Sequence, residues 1–130
     1  MASNHHAPAI VKSGQGDGKA TRKHVCVIGA GTSGLILMKE LQEAGHTFEC
    51  FESLPAIGGV YVKSYASTVL TTSSLLTAWS DYSDGNEEFP KFWTADEYLE
   101  YVRNFAEKFD LVKHIRFSHK VDSVRRSTST

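Results

Sequence analysis

Gly29-Ala30-Gly31-Thr32-Ser33-Gly34 restricts the fold more than any other stretch of the chain. It follows a short apolar run, His24-Val-Cys-Val-Ile28, and precedes a segment in which Leu35, Met38 and Leu41 recur at helical spacing. The apolar run has the length and β-branching of a parallel strand buried on both faces. Gly45 is placed to end the helix, and Thr47-Phe-Glu-Cys-Phe51 reads as a second strand. Strand, glycine turn, helix and strand in that order form a right-handed βαβ unit.

Each glycine has a physical task in such a unit. Gly29 permits the tight turn out of the strand, Gly31 leaves room for a pyrophosphate, and Gly34 lets the helix approach the sheet. The helix N-terminus, through Ala30, Thr32 and Ser33 as well, turns free N–H groups and a positive dipole end toward an anion. Glu52 ends the second strand, 18 residues after Gly34. A carboxylate there accepts hydrogen bonds from a ribose diol and repels a 2′-phosphate, which favours FAD or NAD over NADP. A glycine turn holding no nucleotide is the plainer alternative, and the position of Glu52 weighs against it.

The rest of the chain is read around this unit. The 130 residues carry a net charge of -1, which gives no electrostatic footprint for nucleic acid or a membrane surface. Residues 1–22 mix Ser, Asn, His, Gly and Lys and read as a disordered tail, 23–126 as a partial domain and 127–130 as a polar end. No secretory signal or run of about 20 apolar residues is present, so the expected location is the cytoplasm. Cys26 and Cys50 are expected to be buried free thiols. No metal site is expected, and His46, His114 and His119 read as surface residues.

Between Ser53 and Trp93 regular structure is hard to read, apart from a strand near Ser67 to Thr71. Thr94 and Glu97 then form a capping box for a helix whose apolar face is Tyr98, Leu99, Val102, Phe105, Ala106 and Phe109. Ile115 to Phe117 and Val121 to Val124 look like strand pieces. Trp79, Tyr82, Phe89, Phe92 and Trp93 invite a substrate cage, but packing of the irregular segment is the preferred reading.

Past Glu52, the stretch through Gly58, Gly59, Val60 and Tyr61 resembles the extended fingerprint of flavoproteins that bind two dinucleotides. With LTTSSLLTAWSDY, FPKFWTADEYLEYVRNFAEKFDL and HIRFSHKVDSV, the region from His24 to Arg125 resembles the flavin-containing monooxygenases. The resemblance implies an α/β fold: a Rossmann-like FAD-binding βαβ unit with a long irregular excursion and a following amphipathic helix, in an incomplete domain. It implies an NADPH-dependent flavin monooxygenase, of the N,N-dimethylaniline monooxygenase kind, that oxygenates a nucleophilic N or S of a small molecule. Gly29, Gly31 and Gly34 would meet the FAD diphosphate, Glu52 the adenosine ribose, and Gly58, Gly59 and Tyr61 the length of the cofactor. Tyr61 stands where the family commonly has Trp. Thr71, or its neighbour Thr72, falls where many members have an Asn near the flavin, and Val121 falls near the adenine.

The family's second glycine motif, for NADPH, and its later Phe-Gly-His signature have no match in these residues. The chain is therefore expected to be the first part of a longer enzyme and inert alone. Other two-dinucleotide flavoproteins remain alternatives. An amine oxidase would need no NADPH site, and a disulfide reductase would need a closer cysteine pair than Cys26 and Cys50. A non-catalytic FAD-binding module is the alternative from a different class.

Overall fold

A computed structural model describes residues 21–83 and 90–126. Most of the expected tail, the expected polar end and Phe89 lie outside these residues. The chain order is β1 (His24–Ile28), α1 (Thr32–Glu43), β2 (Thr47–Phe51), β3 (Val69–Ser73), α2 (Ser74–Thr77), β4 (Phe92–Thr94), α3 (Ala95–Lys108) and β5 (Ile115–Arg116). Single 3-10 turns cover Gly59–Lys63 and Val112–His114.

β1, β2 and β5 form one parallel sheet in the order β1-β2-β5. β1 pairs with β2 from His24↔Thr47 to Ile28↔Phe51, so the βαβ unit closes as the sequence pattern requires. β3 and β4 form a separate antiparallel pair with a bulge between Val69 and Ser73. The strand expected at Ser67 to Thr71 thus lies two residues later.

Alternate strand residues point to opposite faces. Val27, Phe48, Cys50 and Ile115 form the covered face and join the core with Leu35 and Met38 of α1 and with Val102 and Phe105 of α3. His24, Cys26, Ile28 and Arg116 lie on the other face and are exposed. This corrects two expectations. β1 is not buried on both faces, and Cys26 is exposed while Cys50 alone is buried. Burial, with the Glu52 carboxylate nearby, pushes the Cys50 thiol up to about 11, so it stays protonated near neutral pH.

Both long helices end in the same hydrogen-bond pattern. After α1, Gly45 (φ 76°) donates to the Gln42 carbonyl and His46 to that of Leu41. After α3, Asp110 (φ 55°) donates to Glu107 and Leu111 to Ala106. These are Schellman closures, one with the expected glycine and one with an Asp in the left-handed region. The strand expected at Val121 to Val124 is absent. Residues 117–126 run without regular structure, tied by Ser118 N–H to the Leu54 carbonyl (3.1 Å) and His119 N–H to that of Glu52 (2.8 Å).

The irregular excursion packs rather than opening a cage. Trp79, Tyr82 and Trp93 stack among Tyr98, Tyr101 and Phe105, with Trp79 4.2 Å from Phe105 and Trp93 4.8 Å from Tyr101. Phe92 is exposed. The Tyr101 hydroxyl accepts from the Trp79 N–H (2.8 Å) and donates to the Tyr82 carbonyl (2.5 Å). Lys39 adds an ionic tie between α1 and this segment: its ammonium, on a side chain only 6% exposed, pairs with Asp81, Glu43 and Glu40. Asp81 first, then Glu43, hold that ammonium above its ordinary range. Lys39 follows Leu35 by four residues, so its place on the buried side was present in the helical spacing.

At the start of α3, Thr94 Oγ1 accepts from the Glu97 N–H (3.2 Å) and Glu97 Oε2 from the Thr94 N–H (2.9 Å), the expected capping box. Lys91, then the Thr94 N–H, hold the Glu97 carboxyl below its ordinary value of 4.5. A depressed carboxyl stabilises the fold above its unfolded-state value and loses that contribution as pH falls through its folded-state value. We expect urea midpoints to fall as the pH drops below the ordinary Glu97 value of 4.5, and the fall to be shallower in Glu97→Gln, which keeps a capping amide without the charge. Thr94→Ala should cost about 1 kcal/mol, against about 3–5 kcal/mol for the fully buried Phe105→Ala. Urea unfolding followed by circular dichroism checks all three.

Candidate functional site

A cleft of about 220 Å³ opens at the carboxyl end of β1. Two glycine turns, with the neighbouring Ile28 and the start of α1, line it: Ile28, Gly29, Gly31, Thr32, Ser33 and Gly34 on one side, and Gly58, Gly59, Val60 and Tyr61 on the other. The first turn leaves β1 at Gly29 (φ 93°), whose N–H donates to the Phe51 carbonyl at 2.8 Å. It closes at Gly34, where a Cβ would stand 2.0 Å from the Gly29 carbonyl oxygen. That contact allows no side chain, and it is the close approach expected of the third glycine. The second turn passes through Gly58 (φ 135°), where a Cβ would lie 2.2 Å from Leu99 of α3.

The two turns meet backbone to backbone. A Cβ on Gly59 would lie 3.2 Å from the Gly31 Cα, and one on Gly31 3.5 Å from the Gly59 Cα. Gly58 N–H donates to the Ala30 carbonyl at 3.2 Å. At Gly31 the backbone is extended (φ -81°), so the chain itself tolerates a side chain there, whose Cβ would meet the Gly59 backbone across the cleft floor. The cleft floor is thus peptide backbone on both sides.

α1 opens onto this floor. Gly31 is its N-cap, with no side-chain cap and no acid in the first turn. α3 contrasts with it, having the Thr94–Glu97 box and both Asp96 and Glu97 in its first turn. One helix satisfies its orphan N–H groups internally, while the other turns them, with its dipole, toward the cleft. An anionic group of diphosphate size fits that arrangement.

Glu52 is 4% exposed and serves the turns themselves. Its Oε2 accepts from the Ala30 N–H at 2.6 Å, and its Oε1 from the Leu54 N–H at 2.7 Å and the Ser53 hydroxyl at 3.2 Å. It does not line the cleft. A carboxylate offers about four lone-pair sites, so these three bonds leave capacity for a further donor. Ala30 is fully buried, its N–H held by Glu52 and its carbonyl by Gly58. The locking role of this pair was not visible in the sequence, because it depends on a contact across 22 residues.

Val60 is 78% exposed at the cleft rim, while the Tyr61 ring is half-buried and sits edge-on to Tyr98 at 4.7 Å. Thr71 and Thr72 lie elsewhere: both are exposed on β3, outside the lining, and the Thr72 hydroxyl bonds that of Thr77 at 2.6 Å. Val121 is half-buried and also outside the lining, two residues past the His119–Glu52 bond. His46 accepts from the Lys23 N–H, His114 stacks on Phe48 at 4.6 Å, and His119 bonds the Phe117 carbonyl. None of these three lines the cleft. Among the described residues no cluster of His, Cys, Asp or Glu is arranged to hold a metal ion, and no helix is long and apolar enough to cross a membrane.

A parallel βαβ unit with a two-sided glycine cleft defines a dinucleotide-binding α/β protein. Residues 22–130 match the family model described as flavin-binding monooxygenase-like, and the chain belongs to that family. Its relatives include 4-hydroxybenzoate brominase (decarboxylating) of Pseudoalteromonas luteoviolacea, 40% identical over 106 residues that make up 80% of this chain and 20% of the relative. Human flavin-containing monooxygenase 2 is 42% identical over 114 residues, 80% of this chain and 21% of that protein. This chain therefore spans about one fifth of the length of the curated relatives it matches. Among solved structures, the OTEMO complex with FAD and NADP superposes with a TM-score of 0.70 at 26% identity, covering 84% of this chain and 21% of that one. A closed cyclohexanone monooxygenase gives 0.65 at 30%, covering 75% and 20%.

Replacing Glu52 by Gln keeps the shape but presents an NH2 donor to one of two N–H donors. One buried donor then loses its acceptor, which costs about 1–3 kcal/mol. Urea unfolding of Glu52→Gln should show that loss, and amide exchange at Ala30 should accelerate.

Proposed function

We propose that this chain is the FAD-binding portion of an NADPH-dependent flavin monooxygenase. The observation that carries this reading is the cleft floor, where Gly31 and Gly59 face each other without side chains beneath the uncapped start of α1. That floor suits a flat, doubly charged linker passing between two backbones. In this reading the N–H groups of Thr32, Ser33 and Gly34 receive the diphosphate, Glu52 holds the turn and offers its remaining lone pair to the ribose, and Tyr61 borders the cofactor's path. Thr71, Thr72 and Val121 would reach the cofactor only along parts of it that leave the cleft.

FAD, when bound, supplies the redox chemistry by which one oxygen atom reaches a nucleophilic N or S of a small molecule. The residues lining the cleft include no carboxylate, imidazole, amine or thiol. This part of the chain therefore binds and orients. We expect the 130 residues alone to bind without turnover and to reside in the cytoplasm, a setting that suits the free thiols Cys26 and Cys50.

The test is flavin retention. Purified chain should carry flavin absorbance with the adenine dinucleotide intact, and Gly31→Val should lose at least nine-tenths of it while keeping its circular dichroism. Equal retention by Gly31→Val would place the flavin outside this cleft and overturn the reading.

A further inference from the structure

Glu52 fixes where the two glycine turns begin, but none of its three hydrogen bonds reaches Gly58 or Gly59. On the cleft side the second turn is tied by the bond from Gly58 N–H to the Ala30 carbonyl. Behind it lies α3. A Cβ on Gly58 would stand 2.2 Å from Leu99 Cδ2 and 2.9 Å from Val62 Cγ2, so these two methyls rest on the bare Gly58 backbone. Leu99 is buried, and the neighbouring Tyr98 meets the Tyr61 ring edge-on. The second turn is thus held between the Gly31 turn in front and the N-terminal half of α3 behind.

α3 is itself firmly placed. The Thr94–Glu97 box and the bond from Ala95 N–H to the Thr68 carbonyl (2.9 Å) fix its start, and Val102 and Phe105 anchor it in the core. The turn it supports has little stiffness of its own. Gly58 (φ 135°) and Gly59 (φ 58°) are consecutive glycines, which have the widest backbone freedom of any pair and keep one geometry only where their surroundings hold it. A wall already ordered in the free protein loses no freedom when a ligand arrives.

We propose that Leu99 is a positioning residue for the flavin dinucleotide, an inference that rests on the reading of the cleft given above. Leu99 presses Gly58 and Gly59 toward Gly31 and so sets the width of the floor on which the diphosphate lies. Without its methyls the second turn is free to move back from Gly31, and its ordering then counts against binding. A residue that touches neither the phosphates nor the cleft lining controls affinity from behind the wall.

Fluorescence titration of the flavin-free 130-residue chain with FAD tests this. Leu99→Ala should raise the dissociation constant about tenfold or more, while Leu99→Met, which keeps the volume, should stay within about threefold of wild type. Val102→Ala, fully buried in the same helix, should lose stability yet bind as wild type does. In the ligand-free chain, amide exchange at Gly58 should accelerate about tenfold relative to Gly29 in Leu99→Ala but not in Val102→Ala. Wild-type affinity in a folded Leu99→Ala would overturn the proposal, as would an equal loss in Val102→Ala or in Leu99→Met. Should Leu99→Ala misfold, the milder Leu99→Val decides, with an expected weakening of about threefold or more. A wild-type chain that binds no FAD would overturn the reading of the cleft instead, and the Gly58 exchange rate would then decide whether Leu99 holds the turn.

Discussion

The buried carboxylate of Glu52 holds together the two chain reversals that make the cleft. Through Ala30 it fixes the turn after β1, and through Leu54 it fixes the start of the segment that leads to Gly58 and Gly59. A buried charge costs free energy unless it is fully hydrogen-bonded. Here three donors surround it, and those donors belong to the loops that must stay in register. The approach of Gly31 to Gly59 and the contact of Gly58 with Leu99 follow from that register. The site is thus set by backbone geometry more than by any side chain it presents.

The βαβ unit was legible because its constraints are local. A strand-length apolar run, a fixed glycine spacing and a helix ended by Gly45 leave few arrangements for Gly29, Gly31 and Gly34. The α3 boundary was legible for the same reason, since a capping box spans only three residues. The second glycine turn was located by resemblance, and the structure supplies its physical reason: Gly58 holds φ 135°, a conformation that side chains rarely adopt, and Leu99 of α3 packs against it.

What was not legible depends on distant contacts. Tyr101 falls off the simple apolar face of α3, yet its hydroxyl organises the Trp79–Tyr82 segment. The helical spacing puts Lys39 on the buried side of α1, but its partner Asp81, 42 residues later, could not be read from that spacing. Cys26 was expected inside on the assumption that a parallel strand is covered on both sides. In this chain the helices cover one face only, so the alternation of β1 leaves His24, Cys26 and Ile28 outside. The segment after β5 has strand-like residues at Val121 and Val124, but with no regular partner it runs as an irregular tether.

The central claim is that the cleft between the two glycine turns receives the diphosphate of a flavin dinucleotide. Titration of the 15N-labelled chain with FAD, with riboflavin as the control lacking a diphosphate, tests it most directly. The account predicts that FAD shifts the amides of Thr32, Ser33, Gly34 and Gly59 in a saturable way, and that riboflavin leaves them in place. A folded spectrum in which these amides ignore FAD, or respond equally to riboflavin, would contradict it.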